Sequence, residues 1–260
     1  MTANHRPTAL LRAHVVLTYA FLYVPIAVLV LFSFSAGRYA AVWGGFTFDW
    51  YLRLLRNERI LDVLLNSLLV AGGATLIATV FGTAAAFAFA RLRFAGKASV
   101  ETLTSLPIVM PELVQGIALL ILFTLVLPIK LGLVTIVIAH AVFGIAYVAL
   151  IVRARLDGLD PQLEEAARDL GASPRQTFFR VTLPLIMPGV VGGALLAFTL
   201  SFDDFVIAFF VTGPGASTLP IEIYSMVKRG VTPEINALAT LILAVSAVLI
   251  AAALRLQRRA

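Results

Sequence analysis

The segment Leu159–Pro184 reads LDPQLEEAARDLGASPRQTFFRVTLP and connects two long charge-free stretches, Leu131–Val152 and Val181–Phe202. Its first residues are typical of a helix start. Asp160 is a good N-cap, and Pro161 suits the first helical turn, where a backbone N–H is not needed. A plain connector between two membrane spans would be shorter and less organised. The segment therefore predicts ordered helical structure outside the membrane.

The same pattern then repeats after a glycine. Gly171 fits the left-handed position that ends a helix, and Ser173 with Pro174 begins a second helix. In the first helix, Glu164 and Arg168 form an i,i+4 pair on the polar side. The spacing i, i+3, i+4, i+7 predicts one apolar face, formed by Leu163, Ala166, Ala167 and Leu170. We predict a helix, a glycine corner and a second helix, presented as a rigid knob to a cytoplasmic partner.

The composition places the rest of the chain in a membrane. Of its 260 residues, 60% are hydrophobic and 13% are charged, whereas a soluble domain has about twice that share of charge. A helix needs roughly 20 apolar residues to cross the hydrocarbon core. Six charge-free stretches qualify: Val15–Gly37, Val63–Ala90, Leu113–Ile129, Leu131–Val152, Val181–Phe202 and Ile235–Leu254. We predict an all-α integral membrane protein with about six transmembrane helices.

The positions of the basic residues predict the orientation. If six spans alternate from a cytoplasmic N-terminus, most of the 20 Lys and Arg residues fall in cytoplasmic segments, as the positive-inside rule requires. Both termini are then cytoplasmic, and the net charge of +6 needs no nucleic-acid partner. The first apolar stretch exceeds the 7–15 residues typical of a signal peptide, so we expect an uncleaved anchor. The outer segment 38–62 is either a gate or docking element at the membrane interface or a lead-in to the second span.

Glycines and prolines predict how the spans pack. Gly72, Gly73 and Gly82 in the second span, and Gly189 and Gly193 in the fifth, let helix backbones approach closely. We expect these spans at the centre of the bundle. Two prolines should bend or delay the start of the third span: Pro107 and Pro111.

The loop resembles a known signature. Glu165-Ala166-Ala167, then Gly171, then Val181 and Leu183-Pro184 match the pattern of ABC-importer permease subunits, in the binding-protein-dependent transport family. Val181 replaces the usual isoleucine. The resemblance implies the type I permease fold and a coupling helix, seated on a cytoplasmic ATPase, that carries ATPase closure to the membrane helices. The residues expected in that role are Glu164, Glu165, Ala166, Ala167 and Gly171.

Other parts of the chain narrow the resemblance. Asn66-Ser67, Leu200–Gly215, Leu219–Val227 and Val231–Thr240 are similar to the second permease of spermidine/putrescine-type importers. This similarity implies a multi-pass protein of the bacterial inner membrane with a single permease domain over 1–260, a core at about 63–254 and a coupling loop at 154–184. It implies as partners an ATPase dimer, a second permease that is either the same or a different chain, a periplasmic solute-binding protein and the bilayer.

The chain lacks a phosphate-binding Gly-x-x-x-x-Gly-Lys-Ser/Thr loop, so ATP and Mg are expected on the ATPase partner. It has no cysteine, and we predict no catalytic residue, metal or cofactor of its own. A permease for another small solute stays open. A self-sufficient secondary carrier or a membrane enzyme is disfavoured, because neither an internal repeat nor a catalytic constellation is visible.

Two acidic residues, Asp203 and Asp204, interrupt the apolar run after the loop, and Glu222 follows that run. Asp203, Asp204 and Glu222 lie at membrane depth, where an ionisable group costs several kcal/mol and usually faces a cavity, a partner or a transport path. They are candidates to line the path of a polycation. Alternatively, one aspartate caps or salt-bridges a neighbouring helix. His140 is expected to form a packing hydrogen bond rather than relay protons.

Overall fold

The computed structural model describes residues 9–37 and 42–257, and these are overwhelmingly helical. Arg6, Arg38 and Arg258, which contribute to the predicted orientation, lie outside the described residues, as do the first four positions of the outer segment 38–62. The helices are α1 Ala9–Phe32, α2 Asp49–Arg56, α3 Glu58–Arg91, α4 Lys97–Val109, α5 Glu112–Ile121, α6 Leu133–Asp157, α7 Gln162–Asp169, α8 Pro174–Thr177, α9 Leu183–Asp203, α10 Val206–Val211, α11 Leu219–Arg229 and α12 Pro233–Gln257. Two π-helical turns extend this set, Leu122–Val126 after α5 and Phe178–Thr182 between α8 and α9.

The chain divides into two compact units, Asp62–Glu222 and the remainder, Met1–Leu61 with Ile223–Ala260. In the unit Asp62–Glu222, α6 is the central helix. It contributes to two buried apolar clusters, one containing Ile136 and Phe143, the other containing Val148 and Val152. The first cluster lies along the N-terminal half of α6 and the second along its C-terminal half. Because α6 buries apolar side chains over both halves, α3, α4, α9 and α10 pack around it.

Glycines explain how closely α3 and α9 approach α6. A Cβ on Gly82 would lie 2.7 Å from Val148 Cβ, and a Cβ on Gly193 would lie 3.3 Å from Val148 Cα. A Cβ on Gly189 would lie 3.1 Å from Arg155 Cβ. The predicted central packing of the small residues is therefore confirmed at these positions, whereas Gly72 faces open space.

The predicted bend before the third span is confirmed. Helix α4 and the run Glu112–Val126 are bent by 115° at a short break that contains Met110 and Pro111. Buried Gln115 closes the break, since its Nε2 donates to the carbonyls of Pro107 and Met110, each at 2.9 Å. These carbonyls lose helical partners at the bend, so the glutamine satisfies them.

The other unit contains α1, α2 and α12. Helix α2 packs against α12, and the Asn57 side chain donates to Glu234 Oε1 at 3.4 Å. Helix α1 is apolar beyond Arg12 and His14, and its most apolar part is exposed within the protein.

Four described helices are long and apolar enough to cross a membrane, and the bent pair counts as a fifth if it forms one span. Helix α12 covers the sixth predicted stretch, and among the residues whose side chains the structure describes its apolar part is Pro233–Ala247. The all-α membrane fold is confirmed, whereas the count of six and the cytoplasmic termini stay predictions.

Candidate coupling loop and membrane cavity

The loop after α6 folds as its sequence predicts. Asp160 Oδ1 accepts from the Gln162 N–H at 3.0 Å at the start of α7. Gly171 has a φ of +85°, which is the left-handed conformation that favours glycine. Ser173 then begins the next helix with a reciprocal capping box, in which its Oγ accepts from the Gln176 N–H and the Gln176 Oε1 accepts from the Ser173 N–H.

The apolar face of α7 is open. Leu163 is 47% exposed and Leu170 is 89% exposed, although both are large apolar side chains. Ala166 and Glu165 are also exposed, and Ala167 is half-buried. Small alanines between two exposed leucines form a shallow surface that another helix or groove can approach closely.

Glu164 faces the other way, into the protein. Its carboxylate accepts from Arg91 Nη2 at 3.1 Å and from Thr182 Oγ1 at 3.0 Å, whereas Arg168 lies at 3.8 Å. The Glu164 side chain is 11% exposed, against 58% for Arg168. Of the predicted coupling residues, Glu164 therefore joins α7 to the end of α3 and to the turn before α9, and Glu165 remains on the outer surface.

One continuous helical run connects this loop to a cavity. Helices α8 and α9, with the π-helical turn between them, form the 30-residue run Pro174–Asp203. At 1.5 Å per residue its length is about 45 Å. Its first residue follows the loop corner at Gly171, and its last residue lines the cavity.

The cavity has a volume of about 540 Å³ and lies beside the bend between α4 and α5. Its carboxylates are those of Glu112, Asp203 and Asp204. Aromatic rings line it too, from Phe143, Tyr147 and Phe205. Carboxylates and aromatic faces are the two kinds of group that attract organic cations.

The structure separates the two neighbouring aspartates. Asp204 is buried, with its side chain 6% exposed, and its Oδ2 lies 3.1 Å from Nε2 of His140. The same oxygen accepts from the Ala208 N–H at 2.8 Å at the start of α10. Asp203 ends α9 and is exposed at the cavity. Both aspartates line the cavity, but Asp204 is engaged by His140 and by the start of α10, whereas Asp203 is the more exposed of the two.

His140 is a packing hydrogen-bonder, as predicted. Its Nδ1 lies 2.7 Å from Ser201 Oγ, and its ring is 1% exposed. Together with Asp204, His140 and Ser201 form a buried polar chain that fixes the break between α9 and α10.

The third predicted path residue, Glu222, lies elsewhere. It is 2% exposed and does not line the cavity. Glu112 lines the cavity instead, at the start of α5.

Sequence reasoning did not identify Arg91, Gln115 or Thr182 as site residues. Arg91 and Thr182 both bind Glu164, which is far from them in the sequence, and Gln115 finds its partners only because the chain bends. The one local signal was Arg91, a basic residue at the end of a predicted span. In the described ranges no group of three or more His, Cys, Asp or Glu residues is arranged to hold a metal ion.

Comparison with known families and proteins gives consistent results. Residues 78–260 match the family model described as "Binding-protein-dependent transport system inner membrane component". The putrescine transport system permease protein PotI of Escherichia coli (strain K12) is 46% identical over 87% of this chain and 83% of its own. The spermidine/putrescine transport system permease protein PotC of Haemophilus influenzae is 41% identical over 92% of both chains. PotC of Escherichia coli (strain K12) is 44% identical over 90% of this chain and 88% of its own.

Solved structures share the fold at low identity. A bacterial ABC transporter involved in the import of alginate superimposes with a TM-score of 0.75 at 18% identity, covering 96% of this chain and 94% of that chain. An amino acid ABC transporter superimposes with a TM-score of 0.63 at 20% identity, covering 82% of this chain and 100% of that chain.

Proposed function

The chain belongs to the family of binding-protein-dependent transport system inner membrane components, and from this membership we propose that it is one pore subunit of an ATP-driven importer of polyamines. The membership confirms the resemblance seen in the loop signature. It also confirms the prediction of a multi-pass protein of the inner membrane. The proposal extends this to the cargo, the partners and the residues that act.

The cargo proposal rests chiefly on relatives whose names include putrescine or spermidine and which are 41% to 46% identical to this chain over most of its length. The cavity is consistent with such a cargo, because a polyamine is a flexible chain of ammonium groups separated by methylenes. Carboxylates replace part of the hydration that each ammonium loses, and aromatic rings accommodate both the charge and the methylenes.

The coupling surface supports the proposed partners. The exposed face of α7, with Leu163, Ala166 and Leu170, would seat on a cytoplasmic ATPase that binds ATP and Mg. A second permease or lipid would contact a row of four large exposed apolar residues on α5 and the π-helical turn after it: Leu113, Ile117, Ile121 and Leu125. A periplasmic binding protein would deliver the cargo.

The mechanism follows from how the loop is attached. ATP-driven closure of the ATPase dimer would move α7, and Glu164 would pass that movement to α3 through Arg91. The run Pro174–Asp203 would carry it to the cavity end, where Asp203 lies. Rigid-body movement of packed helices around a central site is a common transporter motion. This chain binds no nucleotide itself in the proposal and catalyses no reaction.

Within the cavity, we assign the cargo contact to Asp203 and assign Asp204 a structural role. Asp203→Asn is expected to raise the KM for putrescine several-fold while assembly is kept, since only a cavity carboxylate is lost. Asp204→Asn is expected to lower the amount of assembled importer, because the Ala208 N–H and His140 lose a charged partner. Equal KM values for Asp203→Asn and the unmodified protein would remove Asp203 from the path.

The direct test of function is uptake of labelled putrescine and spermidine by cells that lack this chain, with and without its restoration. We expect restoration of uptake that stops when ATP is depleted at unchanged ion gradients. Uptake that survives ATP depletion would indicate a secondary carrier. Assembly with an ATPase but no polyamine uptake would leave the importer function and refute the polyamine cargo.

A further inference from the structure

The described residues between α1 and α3 are folded against their own unit. Ser35 Oγ accepts from the Gly44 N–H at 3.1 Å, and the Ser35 carbonyl accepts from Trp50 Nε1 at 2.8 Å. The Tyr51 hydroxyl lies 2.6 Å from Ser33 Oγ. These bonds hold α2 where α1 ends, so residues 33–37 and 42–57 form a defined surface.

Helix α2 has three distinct sides. Its inner side buries Leu54, which is 2% exposed. A second side is apolar and open, since Phe48, Leu52 and Leu55 are 57%, 53% and 66% exposed. These three residues recur at i, i+4 and i+7 and therefore share one edge of the helix.

The third side of α2 carries two arginines, Arg53 and Arg56, together with Asp49 in its first turn, so it keeps a net positive charge. Arg53 and Arg56 lie beside the open apolar edge, and the Arg53 guanidinium stands 4.9 Å from the centre of the Trp50 ring. Helices that lie along a membrane surface typically have an apolar edge next to a basic edge and carry a tryptophan. Helix α2 has these features, with Trp50 as the tryptophan.

The position of α2 gives its depth. It contacts α12, whose apolar run begins at Pro233, and it follows the end of α1 at Phe32. A helix beside the ends of two apolar helices lies at the level where spans leave the hydrocarbon. The neighbouring exposed aromatics, Trp43 at 46% and Phe46 at 65%, are of the type enriched at that level.

We propose that α2 is an interfacial anchor, whose edge Phe48, Leu52 and Leu55 is buried among the lipid acyl chains and whose Arg53 and Arg56 contact lipid phosphates. Lipid fits better than a protein partner, because two arginines complement anionic phosphates and α1, which precedes α2 in the chain, is itself an exposed apolar helix of membrane-spanning length. The inference depends on the chain being in a bilayer and not on its cargo.

The test exploits the absence of cysteine from the chain. Leu55→Cys and Arg56→Cys are matched neighbours, since both side chains are exposed in the protein and only lipid would distinguish them. Each variant of the full chain is labelled with a nitroxide and reconstituted in nanodiscs of phosphatidylethanolamine and phosphatidylglycerol. The collision rates of the label with oxygen, which partitions into lipid, and with a water-soluble nickel chelate are measured by electron paramagnetic resonance.

We expect an oxygen-to-nickel ratio several-fold higher at position 55 than at position 56. Equal ratios at the two positions would overturn the proposal. Low collision rates with both reagents at position 55 would also overturn it, because they indicate cover by protein. If Leu55→Cys fails to insert, Leu52→Cys compared with Arg53→Cys gives the same contrast.

Discussion

The attachment of the coupling loop to α3 depends on one carboxylate, and this predicts a measurable loss of coupling. Glu164→Gln keeps the shape of the side chain and removes its charge. The bond to Arg91 is charge-assisted, joins side chains that are 24% and 11% exposed, and is worth about 2 kcal/mol after allowance for partial solvent screening. Arg168, at 3.8 Å and 58% exposed, adds little.

A loss of about 2 kcal/mol changes an equilibrium constant by about 30-fold. If loop movement reaches α3 through this bond, the ratio of putrescine imported to ATP hydrolysed should fall by up to about this factor. The assay measures both rates together in proteoliposomes that contain the assembled importer. Asp169→Asn is the control, because it makes the same chemical change at an exposed carboxylate of the same helix.

The pair is tested further by a double-mutant cycle. Arg91→Gln should lower the ratio as Glu164→Gln does, and the double variant should be no worse than either single variant, since both remove one interaction. An unchanged ratio in Glu164→Gln, or strictly additive losses, would refute this account of coupling.

Three further substitutions have matched controls or a defined measurement. Gly171→Val should lower uptake by about tenfold but spare insertion, because a β-branched residue at a φ of +85° costs about 1–2 kcal/mol, whereas Gly158→Val, at a φ of −86°, should be mild. Gln115→Leu leaves the carbonyls of Pro107 and Met110 without their donor and should destabilise the detergent-solubilised protein by about 1–3 kcal/mol, measured as a lower Tm. Gly82→Ala should cost about 1–3 kcal/mol through its clash with Val148, and Gly72→Ala, in open space, should not; equal Tm values for these two would contradict the packing of α3 on α6.

Local patterns in the sequence predicted the coupling loop well. The N-cap at Ser173 and the corner at Gly171 depend on neighbours within a few residues, and the structure confirms both. Helix α7 begins one residue later than predicted, with Pro161 at the N-cap position, although Asp160 Oδ1 still accepts from the Gln162 N–H. The bend near Pro111 was predicted from proline alone, since the missing N–H acts at its own position. Its size of 115° and the closure by Gln115 depend on tertiary packing that no local pattern encodes.

Roles that depend on distant partners could not be predicted. Asp203 and Asp204 are chemically identical neighbours in the sequence, and His140, which lies 64 residues before Asp204, distinguishes them. Glu164 was paired with Arg168 on a polar side because an i,i+4 pair is the nearest explanation. The structure contains that pair at 3.8 Å, but Arg91, 73 residues earlier, binds the carboxylate more closely and draws it inward.

The run Pro174–Asp203 can transmit loop movement only if it does not bend in the middle, and its sequence contains two weak points. The π-helical turn Phe178–Thr182 and Pro188 both interrupt regular α-helical hydrogen bonding. Packing on α6 supports the helix just beyond them, because Gly189 and Gly193 bring its backbone against Arg155 and Val148. A helix held at van der Waals distance along one side resists bending towards and away from that side. The glycines of this helix therefore stiffen it through contact, and we expect loop movement to reach Asp203 as a rigid-body displacement shared with α6 rather than as a local kink.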